Sequence, residues 1–358
     1  MRIAVLGGGH GCYAAAADLS EQGHKVSLWR RNAADLAAVI EHGSIALKDI
    51  DGRRDISVDL ATADIGEAVR NAELILIPLP AFAQVDIAKA IAPHLSDGQV
   101  IFLPPGTFGS YVMARVIRDC GQPARISIAE TGTLPYLARK HGARGIAITI
   151  RATRLPTGVF QAEDSERVFT ILKKAYSSVE PIEDALSGAL MNAGPIIHSP
   201  LIIMNAGPLE HFPEWDIHNE GTQPSIRRVT DALDQERIAL REALGYAPYH
   251  FPLRDHYETD QWMYGDAHKA LVDSGDWREN IKLTSHRYMR EDLEMGLAFL
   301  VSVAEWAEVP TPIAAGMLAM GSAVCGTDFR VGARTLEALK LASLDRGELS
   351  RLLNSGLT

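Results

Sequence analysis

Between Ser285 and Glu308 the sequence SHRYMREDLEMGLAFLVSVAEWAE carries one residue at odds with its surroundings. Its periodicity predicts a helix with Arg290, Glu291, Glu294, Glu305 and Glu308 on a solvent arc and Met289, Leu293, Gly296, Leu297, Phe299, Leu300 and Val303 on the opposite one. Asp292 falls well inside the apolar arc. A carboxylate aimed into a core is costly unless it is paired. An arginine partner would make a structural ion pair; a histidine partner would make acid/base chemistry, the carboxylate fixing the tautomer and raising the basicity of the ring. His198, in GALMNAGPIIHSP, is the candidate, although a histidine among Ile196, Ile197 and Pro200 also suits a satisfied core position. On a helix Met191 and His198 would share a face about 10 Å apart, so His198 is expected to look into the cleft that Met191 lines, with Gly194 and Pro195 bending the helix between them. Arg287, near the start of the later helix, is placed to grip a substrate carboxylate in bidentate fashion.

A second chemical signal lies at the N-terminus, where RIAVL runs into GGGHGC and then the helical AAAADLSEQG. Strand, glycine turn and helix in that order read as a dinucleotide site. Gly7 permits the tight turn, and Gly9 lets the backbone approach a pyrophosphate whose charge sits at the positive end of the helix. His10 and Gly11 complete the turn, and Cys12 stands where Gly or Ala is usual, small enough to keep helix and strand close. The second strand ends in LWRRN with no carboxylate, so Arg30 and Arg31 are expected to accept a 2'-phosphate and NADP to be preferred, with NAD also accommodated. Asp35 lies too far into the next helix to be the obvious ribose ligand. Pro78 to Ala81, including Pro80, should wall the adenosine side.

These residues need elements to hold them. Candidate strands run over Arg2–Leu6, Lys25–Trp29, Leu74–Ile77, Val100–Leu103, Ile126–Ala129 and Ile146–Ile150, several of them continuous Val/Ile/Leu runs separated by helical spacers. This predicts an α/β fold, an N-terminal Rossmann doubly wound parallel sheet, over residues 1–183. From residue 184 to 358 helical patterns dominate, with helices around Pro224–Leu244 and Ala333–Leu341 besides the one already described. The aromatic and charged segment Tyr246–Lys282 reads as loops and short helices able to close over a pocket.

The chain has 358 residues, enough for two cores, and its 47% hydrophobic and 22% charged content is ordinary for a globular protein. A formal net charge of -10 argues against nucleic-acid binding, which needs a basic surface. Three cysteines without C-x-x-C spacing support neither a disulfide framework nor a zinc site, and no other metal-ligand spacing appears among the twelve histidines. A reducing cytoplasm is therefore expected. The glycine run breaks the apolar core that a signal peptide would need, and no long apolar stretch free of Pro or polar breaks suggests a membrane span. The helical second domain is expected to form a homodimer.

Longer motifs then carry a resemblance. "GAL-x-N" looks like the start of the second domain in relatives of glycerol-3-phosphate dehydrogenase, where x is an acid/base lysine, but here x is Met191. GGGHG, AETGTLPY at Ala129–Tyr136, M-N-x5-H ending at His198, R-x4-D at Arg287 to Asp292, VPTP at Val309–Pro312 and GTDFRVGARTLEAL at Gly326–Leu339 together resemble the octopine/nopaline (opine) dehydrogenase family over essentially the whole chain, most closely its N-(1-carboxyethyl)norvaline dehydrogenase type. The resemblance implies that His198 and Asp292 form the catalytic dyad and that Arg287 binds a substrate carboxylate. It further implies that Asn192 is a polar residue close to the substrate and that Glu130 and Thr131 lie near the nicotinamide, Glu130 toward the cofactor and Thr131 toward the substrate. The reaction implied is NAD(P)H-dependent reductive condensation of a 2-oxo acid with the amino group of an amino acid. Two other readings stand beside it: a simple 2-oxo acid or ketopantoate-type reductase, against which Met191 speaks, and a non-catalytic NAD(P)-binding regulator, which has no need of a buried acid/base pair.

Overall fold

The computed structural model describes residues 1–267, 269–270, 280–332 and 334–357. The chain forms two compact units, one of residues 1–189 joined by the C-terminal segment from Arg351, the other of residues 190–350. The first begins with β1 (Arg2–Leu6), helix His10–Glu21 and β2 (Lys25–Trp29), followed by β3 (Ser44–Asp49), β4 (Gly52–Ser57), β5 (Leu60–Thr62), β6 (Leu74–Leu76) and β7 (Val100–Leu103). After helix Gly109–Asp119 come β8 (Ser127–Thr131), β9 (Tyr136–His141), β10 (Gly145–Arg151), β11 (Leu155–Phe160) and β12 (Val179–Pro181).

Eight of these strands form one sheet in the order β12-β11-β8-β7-β6-β1-β2-β5, parallel throughout except for the β8–β11 pair. The chain winds outward from β1 in one direction through β2 and β5, then crosses to the other side through β6, β7 and β8. That reversal places a crevice at the C-terminal end of β1, where the glycine turn begins. Ala4, Leu6, Ile75, Ile77, Ile101 and Leu103 fill one face together with Met113 and Ile117 from helix Gly109–Asp119. Burial of β6 and β7 throughout, and of β1 from Ile3 to Leu6, is why their sequences read as apolar runs.

The remaining strands form a separate four-stranded sheet, β4-β3-β10-β9. The Ile146–Ile150 run, expected in the parallel sheet, lies here and pairs antiparallel with β9. The short turn Gly142–Arg144 explains the difference, since a parallel neighbour needs a long crossover connection. Strands β3 and β4 escaped the sequence reading because they lack such runs; along β4 only Ile56 is buried.

The expected division after residue 183 comes earlier than the observed one, because helix Ala185–Ala189 packs on β11 and β8 of the first unit. The C-terminal segment returns to the same unit, with Gln161 N donating to Leu353 O at 3.1 Å.

The second unit is helical. A π-helix, Tyr288–Leu297, continues into helix Ala298–Trp306 and packs against helices Gly194–Met204 and Pro312–Cys325, on which helix Pro224–Ala243 rests in turn. The helix expected near Ala333–Leu341 is replaced by isolated turns over residues 334–340: Thr335 O accepts from Leu339 N and Leu336 O from Leu341 N, and Lys340 at φ 62 stops the turns from propagating. Ala333 itself lies outside the described residues, as do residues 268 and 271–279 of the Tyr246–Lys282 segment; its other residues include turns and the short helix Asp255–Glu258. One stretch, Ala185–Met204, is long and apolar enough to cross a membrane by composition, but 78% of it is buried within the protein and the backbone leaves the helix between Leu190 and Ala193.

A polar network fastens helix His10–Glu21 to the small sheet. Arg151 bridges Asp18 at 2.6 Å and Asp49 at 2.8 Å, Arg54 joins Asp49 at 2.7 Å, and Tyr136 donates to Asp18 at 2.9 Å. The side chains of Asp18 and Asp49 are 8% and 1% exposed. The Arg54 hydrogen bond, seconded by Arg151 and opposed by burial, holds the Asp49 carboxyl well below the usual range. Its stabilising contribution is present above the unfolded carboxyl pKa and is lost as pH falls below about 4. Replacing Arg151 by Met leaves two buried carboxylates short of a partner and is expected to cost on the order of 2–4 kcal/mol. Urea unfolding at pH 7 should show that loss, and an unchanged midpoint would mean that the network contributes nothing.

Candidate active site

The glycine turn is built for close approach. Gly7 adopts φ +124 and its N–H donates to Trp29 O at 2.9 Å; a Cβ there would stand 2.5 Å from Leu79 Cδ2 and 2.7 Å from Cys12 Sγ. Only glycine satisfies both the backbone and the space. Gly9 caps helix His10–Glu21 in extended conformation, exposed, with open space at its Cβ position and no side chain capping the helix. The first N–H groups and the positive helix end are thus presented as an anion site. Gly11 packs under Leu134, a Cβ there lying 2.9 Å from Leu134 Cδ2. His10 turns sideways and its Nδ1 accepts from Lys140 N at 2.8 Å.

Cys12 is buried, which pushes its thiol up to about 12, and Sγ lies 3.7 Å from Leu6 O. It fills the helix–strand contact as a neutral group. Arg30 folds over the turn, its Nε 2.1 Å from where a Gly8 Cβ would stand, and pairs with Asp35 at 2.6 Å. Asp35, too far along the chain to be the obvious ribose ligand, is therefore beside the arginine that covers the glycine turn. Arg31 is exposed, and Pro80 is half-buried at the head of the 3-10 turn Ala81–Ala83.

Glu130 and Thr131 differ from expectation. Both are fully buried. Glu130 accepts from Phe108 N at 2.8 Å and from the hydroxyl of Ser110, and a Cβ at Gly106 would collide with its carboxylate. The carboxylate is spent on the turn that starts helix Gly109–Asp119, because that helix begins with no side-chain cap of its own. Thr131 donates to Pro156 O at 2.7 Å. In this geometry the two support the loop from within and do not line a surface that a ligand reaches.

In the second unit the structure brings His198 and Asp292 together: Nδ1 lies 2.8 Å from Asp292 Oδ2, and the side chains are 18% and 4% exposed. The two helices approach closely because Gly194 and Gly296 stand at their contact. A Cβ at Gly194 would be 2.2 Å from Asp292 Oδ1, and one at Gly296 2.2 Å from Pro195 Cγ. The Asp292 carboxylate fixes Nδ1 as the donor, leaving the lone pair on Nε2, which has no partner among the described residues. Asn192 is buried beside them, its side-chain oxygen accepting from Gly194 N at 3.0 Å.

The expected rise in His198 basicity is reversed. Burial lowers its pKa from the ordinary 6.5, the Asp292 charge and hydrogen bond work in the opposite direction, and Arg287 and His218 lower it further. The ring is therefore neutral at pH 7, as a base must be.

Met191 is not on His198's helix. It lies in the turn before Gly194, buried, with Sδ 3.7 Å from Nη1 of Arg237. Arg237 is itself paired with Asp234 at 2.7 Å and donates to the carbonyl of His250. Glu291, expected on the solvent arc, is buried and pairs with Arg287 at 3.1 Å. The π-helix explains this: with i→i+5 bonds each residue turns through a smaller angle, so Glu291 swings toward Asp292 and residues five apart, such as Arg287 and Asp292, share a face. The Arg287 side chain remains 43% exposed and its Nη atoms have no hydrogen bond among the described residues. Burial works against its charge, but Glu291 and Asp292 more than offset this and raise its pKa. Three residues were not anticipated from the sequence: Tyr288, which stacks on His198, and His218 and His286, which pack against Tyr288. The string His286-Arg287-Tyr288 was a visible signal for two of them; nothing in the sequence pointed to His218.

Residues 181–325 match the family model described as NAD/NADP octopine/nopaline dehydrogenase, alpha-helical domain, and residues 2–110 match the NAD-dependent glycerol-3-phosphate dehydrogenase N-terminus. The opine dehydrogenase of Arthrobacter sp. (strain 1C) is 29% identical over 350 residues, covering 95% of each chain. Among solved structures, octopine dehydrogenase with NADH and agmatine superposes with a TM-score of 0.75 at 18% identity, covering 100% of this chain and 99% of that one. Yersinopine dehydrogenase with NADP+ gives 0.63 at 13% identity, covering 99% and 97%. A Rossmann sheet followed by a helical domain is thus similar along nearly its whole length to opine dehydrogenases, and the matches support an NAD(P)-dependent oxidoreductase.

Proposed function

We propose that this chain catalyses the reductive condensation of a 2-oxo acid, pyruvate or 2-oxoglutarate, with the amino group of an amino acid, and the reverse oxidation. The observation that carries the reading is the His198 imidazole, anchored through Nδ1 on buried Asp292 with Nε2 left unbonded. In the condensing direction Nε2 takes a proton from the amino acid's ammonium group, freeing the lone pair that attacks the keto carbon. Once the adduct's nitrogen proton has passed to its oxygen, the imidazolium, stabilised by Asp292, returns its proton to the carbinolamine hydroxyl, which departs as water and leaves a protonated imine. Arg287 holds a substrate carboxylate through its Nη atoms, and Asn192 braces the turn that carries Gly194. When bound, the dihydronicotinamide supplies hydride to the imine carbon.

The phosphates of the cofactor fit the uncapped helix behind Gly7 and Gly9. NADP is preferred to NAD in this reading, supported by Arg30 folded over the turn, by exposed Arg31, and by the NADP+ held by yersinopine dehydrogenase. A homodimer is supported by helix Pro312–Cys325, which has no charged residue and exposes Met320 and Val324. Free thiols at Cys12, Cys120 and Cys325 support a cytoplasmic setting.

The test is NADPH and NADH oxidation by purified protein, with pyruvate or 2-oxoglutarate offered against a panel of amino acids. Oxidation should require both substrates, and His198→Ala should lower kcat by about 10²–10⁴-fold. Oxidation with a keto acid alone would make the chain an ordinary reductase.

Because burial depresses His198, the rate of opine oxidation should fall as pH drops through an inflection below 6.5. Asp292→Asn removes the main effects that raise its pKa, so the inflection should move lower still; a shift upward would contradict the pairing.

Replacing Arg30 and Arg31 together by Ala should raise KM for NADPH by about tenfold with little change for NADH. Equal loss for both cofactors would remove the basis of the NADP preference.

A further inference from the structure

Tyr288 lies flat on His198, with ring centroids 3.7 Å apart and planes 13° from parallel. Its position is fixed from three sides. The phenol oxygen is 2.9 Å from Nε2 of His218, His286 meets the ring edge-on at 4.4 Å, and Tyr288 N donates to His286 Nδ1 at 3.3 Å. The ring is 5% exposed. Asp292 already sets the tautomer of His198 by its bond to Nδ1, yet one hydrogen bond leaves the imidazole free to rock about that contact. An aromatic face removes the remaining freedom.

We propose that Tyr288, anchored by His218, is a positioning residue for the reaction: it fixes the plane of the His198 ring and stabilises the imidazolium through its π-face. This rests on the acid/base role proposed for His198. The physical need is clear from the surroundings. His198 must become a cation in a largely desolvated place, and a positive ring stacked on the electron-rich face of a phenol is attracted to it. Arg287 and His218 oppose the charge, and Asp292 favours it. Glu291 is paired with Arg287, and His286 is engaged with Tyr288. On helix Pro224–Ala243, which also packs against helix Gly194–Met204, Asp234 and Arg237 are paired with each other. Helix Pro312–Cys325 carries no titratable side chain but Cys325. The aromatic face is thus a neutral surface against His198 that favours the protonated ring.

Three variants separate the parts of the proposal. Tyr288→Phe keeps the face and loses the bond to His218; Tyr288→Leu loses both; His218→Gln replaces the imidazole of the anchor. Steady-state kinetics of opine oxidation between pH 5 and 9, with thermal unfolding of each variant as a control on folding, form the experiment. Tyr288→Leu should lower kcat by about 3- to 30-fold with KM for each substrate nearly unchanged, and should move the acid limb to lower pH. Tyr288→Phe should recover most of that loss and restore the limb. His218→Gln should raise the limb, because the interaction with His218 that lowers the His198 pKa has gone. A Tyr288→Leu enzyme whose acid limb and kcat match the parent overturns the inference, as does one in which KM alone rises or in which Phe and Leu behave alike. Turnover that survives His198→Ala would instead overturn the acid/base reading itself, so the two failures are distinguishable.

Discussion

The second unit is organised around a carboxylate that would be intolerable alone. Asp292 sits at 4% side-chain exposure, and the 2.8 Å bond to His198 makes its position tenable. Several features of the surrounding sequence answer that one constraint. Gly194 leaves room for the carboxylate where a methyl group would strike it, and Gly296 lets Pro195 come close enough to seat the helices against each other. The π-helical stretch brings Arg287 to the same face as Asp292 and turns Glu291 inward to accompany it. Helical geometry of this rarer kind is costly in hydrogen bonding and recurs at functional sites. Here its effect is a cation and two carboxylates beside one imidazole.

A similar economy governs the first unit. Glu130 is wholly buried, and its carboxylate is satisfied by backbone and hydroxyl donors at the start of helix Gly109–Asp119. Asp18 and Asp49 are held by Arg151 and Arg54 between the long glycine helix and the small sheet. Each buried negative charge is answered by N–H donors or by a guanidinium, and each such answer fastens one element to another. The glycine turn, by contrast, leaves its helix end uncapped. The contrast is chemical: donors are consumed where structure needs them and left open where a phosphate would arrive.

Resemblance to known dehydrogenases pointed to His198 and Asp292, but their environment reverses one inference drawn from the pair alone. Proximity to a carboxylate ordinarily raises a histidine, whereas desolvation here is the larger effect and lowers it. Arg30 shows the same limit. From the sequence it is a free cation at the end of β2; in the fold it is folded over Gly8 and shared with Asp35, five residues along the chain.

Read without coordinates, the chain determined those features that depend on short-range pattern. The glycine turn after β1, the buried strands β1, β6 and β7, the helix over Pro224–Ala243 and the misplaced carboxylate at Asp292 all follow from the spacing of apolar residues and from the conformational freedom of glycine. Tertiary structure decided what depends on contacts between distant segments. Pairing of β10 with β3 and β9, the capture of Glu130 and Thr131 inside the fold, the contact of Met191 with Arg237, the stacking of Tyr288 on His198 and the packing of His218 and His286 against Tyr288 leave no periodic trace. Periodicity reports which face of an element is buried, and it is silent on which distant residue that face will meet; a π-turn, which alters the period itself, misleads it outright, as Glu291 shows.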